Sequence, residues 1–330
     1  MSGPVVEHHG PGISRIEVPL PFERLRSVNA YIIEGDGGLT LIDCGTATIQ
    51  GFDALHDGLA RLGHSLHDIR RVVGTHLHVD HMALAGQLVH EIGCDFVMHR
   101  AASARLAEYN DWTITQAHLA TLAARHGASP EEVAKLSEPE PRPDWAATGI
   151  EPTHPVDDDR EIALDSARSL KVVYTPGHDI AHICLLDSKT GLLFSGDHVL
   201  PRITPVVLVS LNGTDTLAQY MSSLRRVMDL DVHTTLPAHG DTIPRGSDRA
   251  RQILLHHRRR LDEIIDLTAS RPMSGWALMQ ALFRPHMDVF HQRLAFGETM
   301  AHAEHLAATG RLMPSDPDGV VVFRAAPGHR

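Results

Sequence analysis

The seven residues Thr75-His76-Leu77-His78-Val79-Asp80-His81 follow the strand-like stretch Arg70-Arg71-Val72-Val73-Gly74 and lead into a helical pattern from His81 to Ile92. In extended backbone alternate side chains point the same way, so His76 and His78 face one side together. Asp80 and His81 then fall where the helix begins, beside them. Imidazole and carboxylate are donors that zinc and related first-row ions accept. Four such residues within six positions at a strand end are expected to bind metal rather than line a solvated loop.

Outward from this stretch, short apolar runs alternate with helical patterns from Ile13 to about Pro244. The strand candidates begin at Ile13, Asn29, Leu39, Arg70, Cys94, Leu170, His182, Gly191 and His233. Many are continuous apolar runs closed by Gly, Asp or Pro, as in strands covered on both faces. Helical patterns span residues 48–62, 81–92 and 214–228, which makes the chain an α/β protein of layered sheets and helices. A helical insertion, about 101–155, interrupts the alternation; its second piece opens with Ser129-Pro130-Glu131-Glu132, an N-cap followed by proline at the first helical position. We expect residues 1–247 to form the α/β domain. Residues 248–330, three helices and two short strands around a turn, should form a small C-terminal module.

Further donors end other strands: Thr175-Pro176-Gly177-His178, Ser195-Gly196-Asp197-His198 and Pro237-Ala238-His239-Gly240. Each sets a His or Asp beside a glycine, where backbone can come close to an ion. The run His-x-His-x-Asp-His, followed in order by His, Asp and His, resembles the metallo-β-lactamase fold superfamily. That resemblance implies a four-layer αββα sandwich with two zinc ions per chain at one edge, iron or manganese being alternatives. It puts His76, His78 and His178 on one ion and Asp80, His81 and His239 on the other, with Asp197 bridging. It also makes Asp43, in Leu41-Ile42-Asp43-Cys44-Gly45, a support for the metal site, since ligating imidazoles usually donate their second N–H to a carboxylate. His182 and His198 lie near ligands and get no definite role. Most of the other histidines among the 25 in the chain, including His8, His9, His56, His64, His256 and His257, read as solvated.

Two ions roughly 3.5–4 Å apart can share and acidify a water, which then attacks a carbonyl or phosphoryl centre. Asp80 is the candidate catalytic base. The expected activity is therefore hydrolysis of an ester, thioester or lactone of a small molecule. The alternatives are a nuclease or phosphodiesterase, because the C-terminal module resembles a winged-helix-like one in endoribonuclease-like and thioesterase-like members of that superfamily, and an iron-dependent dioxygenase of the persulfide type. No Ser-His-Asp or Cys-His nucleophile arrangement is evident, and the Gly-x-Ser-x-Gly elbow of the serine hydrolases is absent.

Composition narrows the partners. Lys and Arg total 30 against 41 Asp and Glu, a net charge of −11, which disfavours non-specific nucleic-acid or membrane binding. Three cysteines without close spacing give no disulfide framework, and no apolar signal core opens the sequence, so a cytoplasmic protein is expected. The terminal helices leave a homodimer open. In the insertion, Arg105, Arg125 and Lys135 are outnumbered by Glu108, Asp111, Glu131, Glu132 and Glu138, while Leu106, Tyr109, Trp112, Ile114 and Leu119 are apolar. We expect a lid that favours small acyl substrates over a polyanion.

Overall fold

The computed structural model describes residues 3–23, 25–110, 112–139, 144, 146 and 150–328, with the side chains of 107–115 outside the description. The chain divides into two compact units. The first comprises residues 1–110, 142–205 and 226–250, and the second 111–141, 206–225 and 251–330.

Two sheets form the first unit. One orders β1 (Val6–Gly10), β2 (Ile13–Pro19), β3 (Ser27–Gly35), β4 (Gly38–Ile42), β5 (Ile69–Val73), β6 (Asp95–His99) and β7 (His154–Val156) side by side. Its first four strands are antiparallel and its last four run parallel. The other orders β12 (Thr234–Pro237), β11 (Leu192–Gly196), β10 (Ile183–Asp187), β9 (Ser169–Tyr174) and β8 (Glu161–Ala163). Strand periodicity explains how the first sheet is sandwiched. Val28, Ala30 and Ile32 join one buried cluster with Leu55, Leu59 and Leu88, while Tyr31 and Ile33 join another with Val172, Leu185 and Phe194. The first cluster seats α1 (Ile49–Arg61) and α3 (Ala85–Ile92), and the second fills the space between the sheets. Thr48 caps α1 by accepting from the Gly51 N–H at 2.9 Å. A Cβ at Gly58 would lie 2.7 Å from Ile16, so glycine there lets α1 settle onto the sheet.

The direction of the strands places the site. β9, β11 and β12 run the same way, because β10 is antiparallel to both β9 and β11 while β11 and β12 are parallel. Their C-terminal ends therefore meet on one edge, as do those of the parallel strands β4, β5 and β6. Cross-sheet backbone bonds join these edges: Ile183 N–H to Thr75 C=O at 2.9 Å and Asn29 N–H to Ala238 C=O at 2.7 Å.

The helix expected over 81–92 is two helices, the short α2 (Val79–Met82) and α3. The His81 carbonyl is taken by the Cys44 N–H at 2.8 Å and by its thiol at 3.3 Å, and the Leu84 N–H turns to Gly45 C=O. A tertiary partner thus captures the groups that would have continued the helix. β1 pairs with β2 across Gly10-Pro11-Gly12 and is not among the expected strands.

The insertion forms α4 (Ala101–Asn110), α5 (Trp112–Arg125) and α6 (Pro130–Ser137), the last opened by a reciprocal Ser129–Glu132 capping box. α5 and α6 belong to the second unit. There α7 (Thr216–Met228) begins, α8 (Gly246–Ala269) ends, and α9 (Gly275–Leu282) and α10 (Val289–Ala308) accompany a small sheet. That sheet orders β13 (Met273–Ser274), β15 (Val322–Ala325) and β14 (Leu312–Ser315). The buried Arg293 of α10 donates to the Leu136 and Glu138 carbonyls, satisfying the end of α6. His126 at the end of α5 stacks on Phe323 of β15, with centroids 5.5 Å apart. The side chains of Tyr109, Trp112 and Ile114, central to the expected lid, lie outside the described residues, as does Asp111. Among the described residues no helix is long and apolar enough to cross a membrane.

Candidate metal centre

Four donors come from the loop after β5 and the start of α2. Asp43, just past β4, governs their placement. Its Oδ1 accepts the Thr75 N–H at 2.8 Å, and its Oδ2 accepts the Thr75 hydroxyl at 2.9 Å and the His81 Nδ1–H at 2.8 Å. Since the Thr75 hydroxyl donates to Asp43, the His76 Nδ1–H donates to Thr75 Oγ1 at 3.0 Å. Both His76 and His81 are thereby held through Nδ1 and turn Nε2 to the site. Asp43 does this from a left-handed backbone, φ +54°, a conformation costly for a residue with a side chain and typical of functional sites.

The second sheet supplies the other three. His178 follows Gly177 on the loop after β9, and its Nε2 stands 3.2 Å from His78 Nδ1. His239 follows β12 and donates Nδ1–H to the Ser27 carbonyl at 2.8 Å, again baring Nε2. Asp197 follows β11 and divides its carboxylate. Oδ1 lies 3.6 Å from His81 Nε2 and 3.4 Å from His239 Nε2, and Oδ2 lies 3.8 Å from His178 Nε2. Asp80 Oδ2 stands 3.3 Å from His239 Nε2 and 3.6 Å from His81 Nε2. All seven expected residues therefore converge, in two groups: His76, His78, His178 and Asp197, and Asp80, His81 and His239.

The donor set fits divalent ions. His76 Nε2, His81 Nε2, His239 Nε2 and Asp197 Oδ1 are buried atoms that make no hydrogen bond. Buried polar atoms are rarely left so, and here they converge on neighbouring points. Two donors at about 2.0–2.1 Å from one tetrahedral zinc stand roughly 3.3 Å apart, close to the separations found here. The charges match as well. Burial opposes a proton on His76 and His78 and lowers both, and neighbouring imidazoles push His76 further down. Burial also opposes charge on His81, but Asp80, Asp197 and Asp43 outweigh it and raise this imidazole well above 6.5. Burial likewise works against Asp80, yet His81 and His239 pull it to about 2. The carboxylates that favour a proton on His81 are the negative charge that a metal cation would neutralise in its place.

The family model described as the metallo-beta-lactamase superfamily matches residues 24–239, and the one for the metallo-beta-lactamase-like C-terminal domain matches 261–326. The chain belongs to the metallo-beta-lactamase superfamily. The probable metallo-hydrolase YqjP of Bacillus subtilis is 28% identical over 305 residues, 89% of this chain and 91% of that protein. The atrochrysone carboxyl ACP thioesterase of Aspergillus fumigatus is 28% identical over 107 residues, 32% of each chain. Among solved structures, a metallo-beta-lactamase family protein from Thermus thermophilus aligns at TM-score 0.79 and 26% identity, over 96% of this chain and 99% of its own.

Within this superfamily site, several supports have no signature in the sequence. Asn29 of β3, buried, donates its amide to both the Pro237 and Gly240 carbonyls, at 2.8 and 2.9 Å, spanning the turn that carries His239. The Tyr31 hydroxyl donates to Pro237 C=O at 2.7 Å, and buried Arg15 donates to Gly240 C=O at 3.1 Å. Tyr174 at the end of β9 donates to Ile180 C=O at 2.8 Å and stacks on His99, holding the loop of His178. Only the strand alternation of Asn29 and Tyr31, which share a face, hinted at a common target.

Proposed function

We propose that this metallo-hydrolase cleaves an ester, thioester or lactone of a small molecule, with one divalent ion held by His76, His78 and His178, a second by Asp80, His81 and His239, and Asp197 shared. The observation that carries the reading is the divided Asp197 carboxylate, one oxygen toward each donor group. Imidazole and carboxylate donors favour zinc. Divalent ions bound there would acidify an attacking water and polarise the substrate oxygen. The chain's own part is to hold the donors and move the proton. Asp43 and the Ser27 carbonyl fix the tautomers of His81 and His239, so no ring reorganises on binding. Asp80, ionised at neutral pH and standing beside His81 and His239, is the carboxylate placed to accept the proton of the attacking water and pass it to the leaving group.

Acyl substrates are favoured over polyanions. The thioesterase named among the relatives supports the acyl reading. In the insertion, Lys135 is paired with Glu131 at 2.8 Å and so offers little to a phosphate backbone. The test is metal analysis of purified protein alongside turnover of p-nitrophenyl esters, acyl thioesters, lactones and bis-p-nitrophenyl phosphate. We expect zinc, with an acyl substrate turned over faster than the phosphodiester. Preference for the phosphodiester, or iron with oxygen uptake, would overturn the reading.

A further inference from the structure

We infer that His182 is a positioning residue for Asp197 and not a metal ligand: its Nδ1–H tautomer presents a bare Nε2 to the Asp197 backbone and so sets how that carboxylate is shared. The inference deepens the proposed two-ion site and rests on it. By proximity His182 belongs with the ligands, since it is buried and its ring centroid lies 5.1 Å from that of His76. Its nitrogens are nevertheless both occupied. The Asp197 N–H donates to His182 Nε2 at 3.1 Å, which requires that nitrogen to be unprotonated. The proton therefore sits on Nδ1 and is donated to Thr175 Oγ1 at 2.8 Å. Thr175 is in turn fixed to the same residue, its N–H donating to the His182 carbonyl at 2.9 Å.

The turn that carries Asp197 is shaped for this ring. Gly196 has φ +49°, and a Cβ there would lie 2.8 Å from His182 Nε2 and 2.9 Å from Thr75 Cβ. On its other side the Gly196 carbonyl accepts the Ala238 N–H at 3.0 Å. Asp197 is thus held between His182 and the turn of His239. Its two oxygens address different donor groups, so a small rotation of its backbone would favour one group at the expense of the other.

The test uses the full chain. A proton–nitrogen long-range correlation spectrum of the metal-free protein should report His182 with Nδ1 protonated and Nε2 bare. Cobalt(II), followed by visible absorption, probes the site. His182→Phe keeps a ring without an acceptor, and Thr175→Val removes the partner that fixes the tautomer. Both should weaken the weaker cobalt-binding step by roughly 10–100-fold, as loss of an outer support does elsewhere. His182→Gln, whose amide oxygen can accept the Asp197 N–H, should stay within about threefold of the parent. Should His182→Phe fail to fold, Thr175→Val and the ring spectrum decide. A protonated Nε2, unchanged cobalt affinity in Thr175→Val, or His182→Gln binding as poorly as His182→Phe would overturn the inference, the last because it would mark a packing role. A parent protein that takes up no cobalt overturns the two-ion reading instead, while the ring spectrum still decides the tautomer.

Discussion

Each unit buries a set of histidines, and the two sets differ in kind. In the second unit His257 of α8, expected to be solvated, and His302 of α10 instead lie fully buried. His257 donates Nδ1–H to His302 Nε2 at 3.1 Å, and His302 donates Nδ1–H to the Glu298 carbonyl at 2.8 Å. The chain of donors ends on backbone, and among the described residues no carboxylate pairs with either ring. Burial, then the neighbouring imidazoles, pulls His257 down to about 2, and burial drives His302 to about 4. In the first unit His81 is equally buried, yet three carboxylates raise it. Burial alone therefore makes a neutral imidazole. A metal centre needs bare nitrogens from several strand ends converging together with carboxylates.

The sharpest way to break this contrast is to remove the shared carboxylate. Asp197→Ala should lose bound metal and bring turnover to background, with metal content by plasma mass spectrometry and hydrolysis of the best acyl substrate as the readouts. Retained metal would place the bridge elsewhere. Asp80→Asn keeps the shape of the side chain and removes its ability to carry a proton. Turnover should fall about 10²–10⁴-fold while some metal remains bound, and near-normal turnover would take the proton-transfer role from Asp80. Asp43→Asn should weaken metal binding roughly 10–100-fold, because an amide cannot accept all three of the hydrogen bonds that Asp43 receives. A chelator competition titration measures it.

The other set leaves activity untouched, and its effect on stability appears only in acid. His257 and His302 have folded pKa values below the unfolded value near 6.5, so their contribution is whole above pH 6.5. It is lost as pH falls through about 4 for His302 and on toward 2 for His257. The pair should make stability fall in acid by on the order of a few kcal/mol. Glu298, lifted to about 7 by burial, works in the opposite sense and favours the fold at lower pH. The readout is therefore the difference in urea unfolding between the parent and a His257→Phe, His302→Leu variant, at pH 7.5 and pH 5. Equal acid sensitivity in both proteins would show that the pair does not titrate as the burial implies.

The site was legible to the extent that local pattern dictates it. His76 and His78 alternate in extended backbone, and every later donor sits beside a glycine at the end of an apolar run; the resemblance to the superfamily pattern picked out the seven residues that the structure brings together. The helix after them was misjudged at Ala83 and Leu84 because Cys44 and Gly45, some forty residues earlier, capture its hydrogen bonds. Asn29, Tyr31 and Arg15 escaped notice for a related reason. Their targets are backbone carbonyls about two hundred residues away, and a carbonyl leaves no mark on composition or periodicity.

Two-sided burial of the strands, the metal-type donors and their order, and the capped start of α6 at Ser129 were readable from the residues alone, because each depends on neighbours within a few residues. Which imidazole nitrogen faces the site, which histidine supports instead of ligating, and that α5 and α6 join the C-terminal helices in one unit emerge only once the chain is folded. Those outcomes turn on which distant donor meets which acceptor. Hydrogen-bond satisfaction of buried groups is settled only when the strand ends are brought together.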